Sequence, residues 1–407
     1  MKIAVFFPSR HLGEWSFAGG HNLNFAFSGT DRSLLWLVDG LVKEKNNVSL
    51  YSQTAPQKST NRETHQAKSM QEAVRMASRE KAEFLITPAH GDTVTLEGIK
   101  EAESQNLPLI IWAQNGPSND LATAVHTFRC IKALVCVSEL QADEIRHRRA
   151  FRKTQVIHNA LDLSFWHPPA ERKESSTVLY VGAASFSKGF HHVAKAWPGI
   201  RSKYPNAKLH VCGSARLHSR ATSVGSLGIG EEAFEKTQIQ PYLGTSPEAA
   251  FARGVIFEGL TSPVTIRNLI WKSSLGIVNP NIEGSRETFC VAAAEMQACA
   301  LPVVGARAGG LPEIVPDGIS GLLLNNPQRL ASAVNQILGD PLLRLKLSCN
   351  GPKSASRFDQ TRILGEWTML LQRLKTNSEG RRIAFRCHPF TLRRLIKRTI
   401  QLCRLSH

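Results

Sequence analysis

The chain predicts an α/β fold made of two Rossmann-like, doubly wound units facing each other across a cleft, and three observations carry that reading. Its 407 residues exceed what one hydrophobic core usually spans, so two domains plus appendages are expected. Apolar runs of strand length alternate with helical patterns along most of the chain, which is the mark of parallel sheets covered by helices. That alternation is interrupted at Trp166-His167-Pro168-Pro169 and the polar run from Glu171 to Ser176, where paired prolines stiffen a connector between the units. Ligands of open parallel sheets bind beyond the strand C-terminal ends, so two facing units create one cleft.

In the first unit, strands are expected at 2–7, 48–52, 84–87, 109–113, 133–138 and 155–158. In the second they are expected at 178–181, 208–212, 255–257, 275–278, 302–306 and 321–324. The opening Lys2-Ile3-Ala4-Val5-Phe6-Phe7-Pro8 is too short for a signal-peptide core and runs into Arg10 and His11, so it reads as a buried strand. A long loop follows, from Ser9 to Gly29, with Trp15, Phe17, Gly19-Gly20, His21 and Phe25. Such a loop is either functional or packed on its own aromatics, and both readings stand. The expected organisation is an N-terminal unit over 1–168, a C-terminal unit over 169–358, a helix over 359–375 crossing back to the first unit, and a basic tail over 376–407.

Composition narrows the function classes. A hydrophobic content of 42% and a charged content of 20% are ordinary for a folded globular protein, and no apolar run approaches transmembrane length. The eight cysteines lack C-x-x-C spacing and several lie in apolar elements, such as Cys136, Cys212 and Cys299. Packed, reduced thiols in a cytoplasmic protein are the simplest account. The net charge of +17 is unevenly placed: residues 381–407 hold eight Lys or Arg and no acid. From Thr391 onward the apolar residues fall on one helical face and the basic ones on the other, which predicts attachment to an anionic membrane surface. A basic tail that is disordered or packed on its own protein is the alternative. No recognised nucleic-acid module accompanies the charge. Neither an Asp-x-Asp pair nor zinc-type His/Cys spacing appears, so no metal and no cofactor are expected.

The densest functional signal is Glu287 and Glu295, with seven residues between them in a small-residue stretch that leads into Pro302-Val303-Val304 and Gly309-Gly310. Taken alone, two glutamates so spaced are usually solvated helix residues. Here they bracket an expected helix start at Thr288 and Phe289, whose unpaired N–H groups and positive dipole end suit a diphosphate. Glu287 can accept hydrogen bonds from sugar hydroxyls, and Glu295 can accept those of a ribose. Lys188, after the loop 182–187, supplies a point charge for the phosphates. Gly213-Ser214, at the end of another strand, permits close backbone approach. Arg286 adds a charge or pairs with an acid.

These motifs resemble the signature of the retaining glycosyltransferases of family 4. The resembling stretches are 276–324, with Gly309-Gly310-Leu311-Pro312-Glu313-Ile314-Val315 and Asp317-Gly318 inside it, Val135-Cys136-Val137-Ser138-Glu139, Val156-Ile157-His158-Asn159-Ala160-Leu161-Asp162, and Tyr180-Val181-Gly182 followed by Lys188-Gly189. The resemblance implies a GT-B fold and transfer of a sugar from a nucleotide-diphosphate sugar to a glycan or lipid-linked acceptor. It implies catalytic roles for Glu287 and Lys188, and a donor site of Gly182, Lys188, Gly213, Ser214, Arg286, Glu287, Thr288, Phe289 and Glu295. Acceptor or sugar contacts would come from Gly29, Thr30, His90, Gln114 and Asn115. Two positions depart from the family: Ala183 stands where many members have arginine, and Gln114 with Asn115 where many have a histidine. A nucleotide-sugar 2-epimerase and a catalytically silent binding protein are the alternatives on the same scaffold.

Overall fold

The computed structural model describes residues 1–12, 15, 25–56, 63–89, 94–171, 175–217, 219–283 and 287–376. His90, Arg286, most of the loop after the first strand and the basic tail over 381–407 lie outside the described residues. Two all-parallel sheets form the frame. The first runs in the order β3-β2-β1-β4-β5-β6-β7, with β1 Lys2–Phe7, β2 Asn47–Ser52, β3 Thr64–Gln66, β4 Phe84–Ala89, β5 Leu109–Ala113, β6 Ile131–Cys136 and β7 Thr154–Val156. The second runs β10-β9-β8-β11-β12-β13, with β8 Thr177–Val181, β9 Lys208–Cys212, β10 Val255–Gly259, β11 Leu275–Ile277, β12 Val303–Ala306 and β13 Gly321–Leu324.

Central strands such as β5, with all five residues buried, are apolar throughout because helices cover both faces of the sheet. Strand β3 has no such run: Thr64, His65 and Gln66 form a short edge strand paired with Leu50, Tyr51 and Ser52 of β2, which alternation of apolar runs did not mark. In each sheet the order reverses beside the first strand, between β1 and β4 and between β8 and β11. Both reversals create crevices at strand C-terminal ends, and the two crevices face each other.

The units share an apolar core. Leu34, Leu37, Trp112 and Val135 of the first unit belong to the same buried cluster as Phe289, Ile314, Phe358 and Trp367. The chain returns through the helix Gln360–Lys375, capped by Asp359, whose side chain accepts from Thr361 N. That helix docks on the helix Gly29–Lys43, where Leu364 lies against Gly40 and Trp36 Nε1 donates to Gln360 Oε1 at 3.0 Å. Trp367 meets Trp112 edge-on with ring centroids 5.1 Å apart, and Leu161 and Phe358 exchange backbone contact through a 2.8 Å bond. Among the described residues no helix is long and apolar enough to cross a membrane, and the six described cysteines are free thiols, with Cys349 exposed.

Candidate active site

A cleft of about 1190 Å³, open solvent included, lies where the two crevices meet. It is lined by Gly29, Thr30, Gln114 and Asn115 from the first unit and by Gly182, Lys188, Gly213, Glu287, Thr288, Phe289 and Glu295 from the second. Sequence positions as distant as 29 and 295 are thus brought to one surface. Ser214 is not on it: the side chain is 2% exposed, and its hydroxyl accepts from Arg216 N at 3.3 Å, so it braces the turn after β9.

Glycines allow the walls to approach. A Cβ on Gly213, at φ 133°, would lie 2.0 Å from the Gly182 carbonyl, so the ends of β8 and β9 can meet only as bare backbone. A Cβ on Gly310 would lie 2.1 Å from the Thr288 carbonyl. Gly310 N in turn donates to the Glu287 carbonyl at 2.6 Å, pinning the segment that carries the first acid.

The helix behind that segment starts later than the sequence suggests. It spans Val291–Ala298, and Cys290 before it has a left-handed conformation with φ 71°. Thr288 and Phe289 therefore precede the helix. Thr288 Oγ1 donates across the cleft to the Gln114 carbonyl at 2.6 Å, while the Phe289 ring, 1% exposed, packs edge-on against Phe358 at 5.0 Å. Phe289 is a core side chain whose backbone borders the cleft. The amides at the helix start belong to Val291 and Ala292, both of which line the cleft.

Two acid–cation pairs occupy the cleft. Lys188 Nζ lies 2.7 Å from Glu287 Oε1, which also accepts from Asn279 Nδ2 at 3.1 Å. Burial pulls the Lys188 pKa down, but the Glu287 charge outweighs it and the ammonium sits above its usual value. Tyr180, buried beneath the 182–188 loop, brings its hydroxyl to 3.1 Å from both the Ala183 and Lys188 carbonyls and so fixes the loop that presents the lysine. In the second pair, Arg32 from the helix Gly29–Lys43 reaches across to Glu295 at 2.5 Å. Burial raises the Glu295 pKa, and the Arg32 charge and hydrogen bond pull it back. Arg32 and Lys188 are the two cations among the described lining residues, and Arg32 stands in a cleft where Ala183, 3% exposed, contributes no charge.

The Gln114 amide is held by a neighbour. Its side chain is 4% exposed and makes a reciprocal pair with Asn159, Nε2 to Oδ1 at 3.0 Å and Nδ2 to Oε1 at 3.2 Å. Asn115 is exposed at the mouth, and its carbonyl accepts from Gln141 Nε2 at 2.7 Å. Beside the cleft, Glu313 bridges the units: Oε1 lies 2.6 Å from His158 Nε2, and Oε2 accepts from Glu139 N at 2.9 Å at the start of the helix Glu139–Glu144. Arg32, Asn159 and the His158–Glu313 contact were not singled out by sequence reasoning. His158, Asn159 and Glu313 sit within motif stretches, but their partners are more than 150 residues away or on another strand, and nothing local marks such a pairing.

Residues 166–354 match the family described as glycosyl transferases group 1. A phosphatidylinositol N-acetylglucosaminyltransferase subunit of Arabidopsis thaliana is 26% identical over 215 residues, 51% of this chain and 42% of that protein. D-inositol 3-phosphate glycosyltransferase of Acidothermus cellulolyticus is 30% identical over 187 residues, 46% of this chain and 38% of that protein. The matches thus span less than half the length of these relatives. Among solved structures, Anabaena Alr3699/HepE in complex with UDP-glucose superposes with a TM-score of 0.67 at 17% identity, covering 91% of this chain and 99% of that one, a likeness of fold. Residues 166–354 are thus similar to the group 1 glycosyl transferases, and the chain as a whole has the two-domain GT-B fold.

Proposed function

We propose that the protein is a retaining glycosyltransferase that moves a sugar from a nucleotide-diphosphate sugar to a hydroxyl of a glycan or lipid-linked acceptor, in surface polysaccharide, lipopolysaccharide or glycolipid synthesis. The observation that carries this reading is the convergence of Glu287, Lys188, the helix start at Val291 and Glu295 in one interdomain cleft. Ribose hydroxyls would donate to Glu295, the diphosphate would lie at the helix start, and the sugar would lie against Glu287. The diphosphate would draw Lys188 from Glu287, freeing that carboxylate for sugar hydroxyls as the cation meets the developing negative charge.

In the reaction, the bond between the anomeric carbon and the diphosphate oxygen breaks and the acceptor oxygen bonds on the same face. The acceptor proton passes to the departing diphosphate oxygen, so no strong protein base is needed. Gln114, engaged with Asn159, would serve as scaffold. The UDP-glucose complex of the Anabaena protein makes uridine diphosphate sugars the first donors to try. Residues 381–407 would hold the enzyme at an anionic membrane surface, where a lipid-linked acceptor resides.

The test is a melting-temperature panel with UDP-, GDP-, ADP- and dTDP-sugars on the protein and on Glu295→Ala, since a ligand of the folded state raises the midpoint. Stabilisation by one nucleotide class, lost in Glu295→Ala, is expected, followed by product of retained anomeric configuration by NMR. Absence of any shift, with acceptor and anionic vesicles present, would favour a silent binding protein. Vesicle binding lost on ending the chain at Glu379 supports the membrane role; unchanged binding removes it.

A further inference from the structure

A second cluster of chemistry-bearing side chains lies at the outer edge of the first sheet, and none of its residues lines the cleft. Glu63 and His65 flank Thr64 at β3, Glu80 caps the C-terminus of the helix Met70–Arg79, and one ligand atom of each lies within 4.8 Å of the others. We propose that Glu63, His65 and Glu80 bind a divalent transition-metal ion, with zinc the best chemical match.

Among the described residues the cluster is short of positive charge. Ser49 Oγ lies 3.2 Å from Glu63 Oε2 and 3.1 Å from Glu80 Oε2, and its single hydrogen can serve one of them at a time. Two carboxylates so close repel each other, and a cation between them would relieve that repulsion. Glu80 also sits at a helix C-terminus, the negative end of the dipole. The described cation nearby is Lys2, whose Nζ is 3.6 Å from Glu80 Oε2, beyond hydrogen-bond distance.

Two polar atoms face this space with no hydrogen-bond partner in ordinary geometry. The buried Nε2 of His65 is one, and it stands 3.5 Å from Glu80 Oε1. That separation is long for a hydrogen bond, yet two ligand atoms held about 2.0–2.2 Å from a tetrahedral zinc ion stand roughly 3.3–3.6 Å apart. The other is the hydroxyl of Tyr51, a side chain with no exposed surface whose ring stacks on His65 at 5.2 Å. From there the phenol can donate to a ligand carboxylate and steady it. An imidazole and two carboxylates, with room for water on the exposed Glu63 side, form a donor set that zinc accepts, and binding would tie the three-residue edge strand to the helix behind it.

The experiment uses the full chain, stripped with EDTA and dialysed, titrated with ZnCl₂ by calorimetry and with CoCl₂ by visible absorption. Saturable one-to-one zinc binding is expected, with a rise in melting temperature that EDTA reverses. His65→Ala, Glu80→Gln and Glu63→Gln should each weaken it at least tenfold, and the cobalt spectrum should show tetrahedral bands without thiolate charge transfer. Glu63 is exposed, so Glu63→Gln keeps the test sound if the other two variants fold poorly. Absence of saturable binding, equal affinity in all three variants, or thiolate bands pointing to sites such as Cys349 would each overturn the proposal.

Discussion

The acid–cation pairs of the cleft are built in opposite ways. Glu287 and Lys188 both come from the C-terminal unit, and Glu287 is shared with Asn279, so a ligand can displace either partner and leave the other satisfied. Glu295 and Arg32 come from different units, and Glu295 is 1% exposed with Arg32 as its ion-pair partner. The first pair is suited to exchange with substrate. The second also fixes how the two units sit against each other, so its acid is at once a ribose-binding candidate and half of a domain latch. Disturbing one pair should read out in turnover, and disturbing the other in folding and closure.

The largest effect is expected from Arg32→Ala. It leaves the Glu295 carboxylate buried without its counter-ion, a change that typically costs about 3–5 kcal/mol, read as a lower urea midpoint at pH 8. Burial already raises the Glu295 pKa, and losing Arg32 raises it further. A carboxyl whose folded pKa lies above its unfolded value favours the fold when protonated, and that advantage is lost as pH rises through the folded pKa. The deficit of Arg32→Ala against the parent should therefore shrink at pH 5. An equal deficit at both pH values would show that Arg32 acts by packing and break the contrast between the pairs.

Lys188→Ala tests the other side. Removing one electrostatic stabiliser of a departing oxyanion costs roughly 10²–10³ in kcat, and here it should leave the melting temperature near the parent's, because Asn279 still holds Glu287. A large stability loss with kcat intact would make Lys188 a structural residue and erase the distinction.

The two pairs also differ in how far the sequence announced them. Lys188 and Glu287 follow a strand and precede a helix at fixed offsets, and local pattern is enough to nominate both. Arg32 lies 263 residues from Glu295 by its number, and its pairing is decided by domain docking, which no periodicity encodes. The same limit explains Gln114, whose amide pairs with Asn159, and Glu313, whose carboxylate reaches His158 and a helix start in the other unit. Apolar runs located the central strands because burial on both faces forces them; β3, polar and at the edge, needed no such run. The helix start moved from Thr288 to Val291 because the backbone at Thr288 is pressed against Gly310 and Cys290 turns left-handed, neither of which composition signals.

A smaller effect should come from the returning helix, which supports the latch from behind. Trp36→Phe removes the 3.0 Å bond to Gln360 while keeping an aromatic ring, and a part-buried hydrogen bond of this kind contributes about 0.5–1.5 kcal/mol. Urea unfolding should show that loss with unchanged donor affinity. Weakened donor binding would mean that the Gln360–Lys375 helix couples domain closure to the cleft, extending the latch beyond Arg32 and Glu295.

The smallest expected effect is a pH dependence from a third pair near the seam. His11 Nε2 lies 3.1 Å from Asp31 Oδ2, the residue that completes the capping box with Ser28 at the start of the helix bearing Arg32. Burial lowers the His11 pKa, but the hydrogen bond and charge of Asp31 and the Pro8 carbonyl, set against Arg220, leave it above 6.5. A histidine with a raised folded pKa contributes stability that is complete below its unfolded value and is lost as pH rises through the folded one. The parent should therefore lose stability relative to His11→Gln as pH rises above 6.5, by less than about 1 kcal/mol because the pair is part-exposed. Chemical denaturation of both proteins at pH 6 and pH 8 decides it. A difference that does not change between those values would mean that His11 supports the helix start through the neutral hydrogen bond alone, leaving Arg32–Glu295 as the charge pair on which the latch depends.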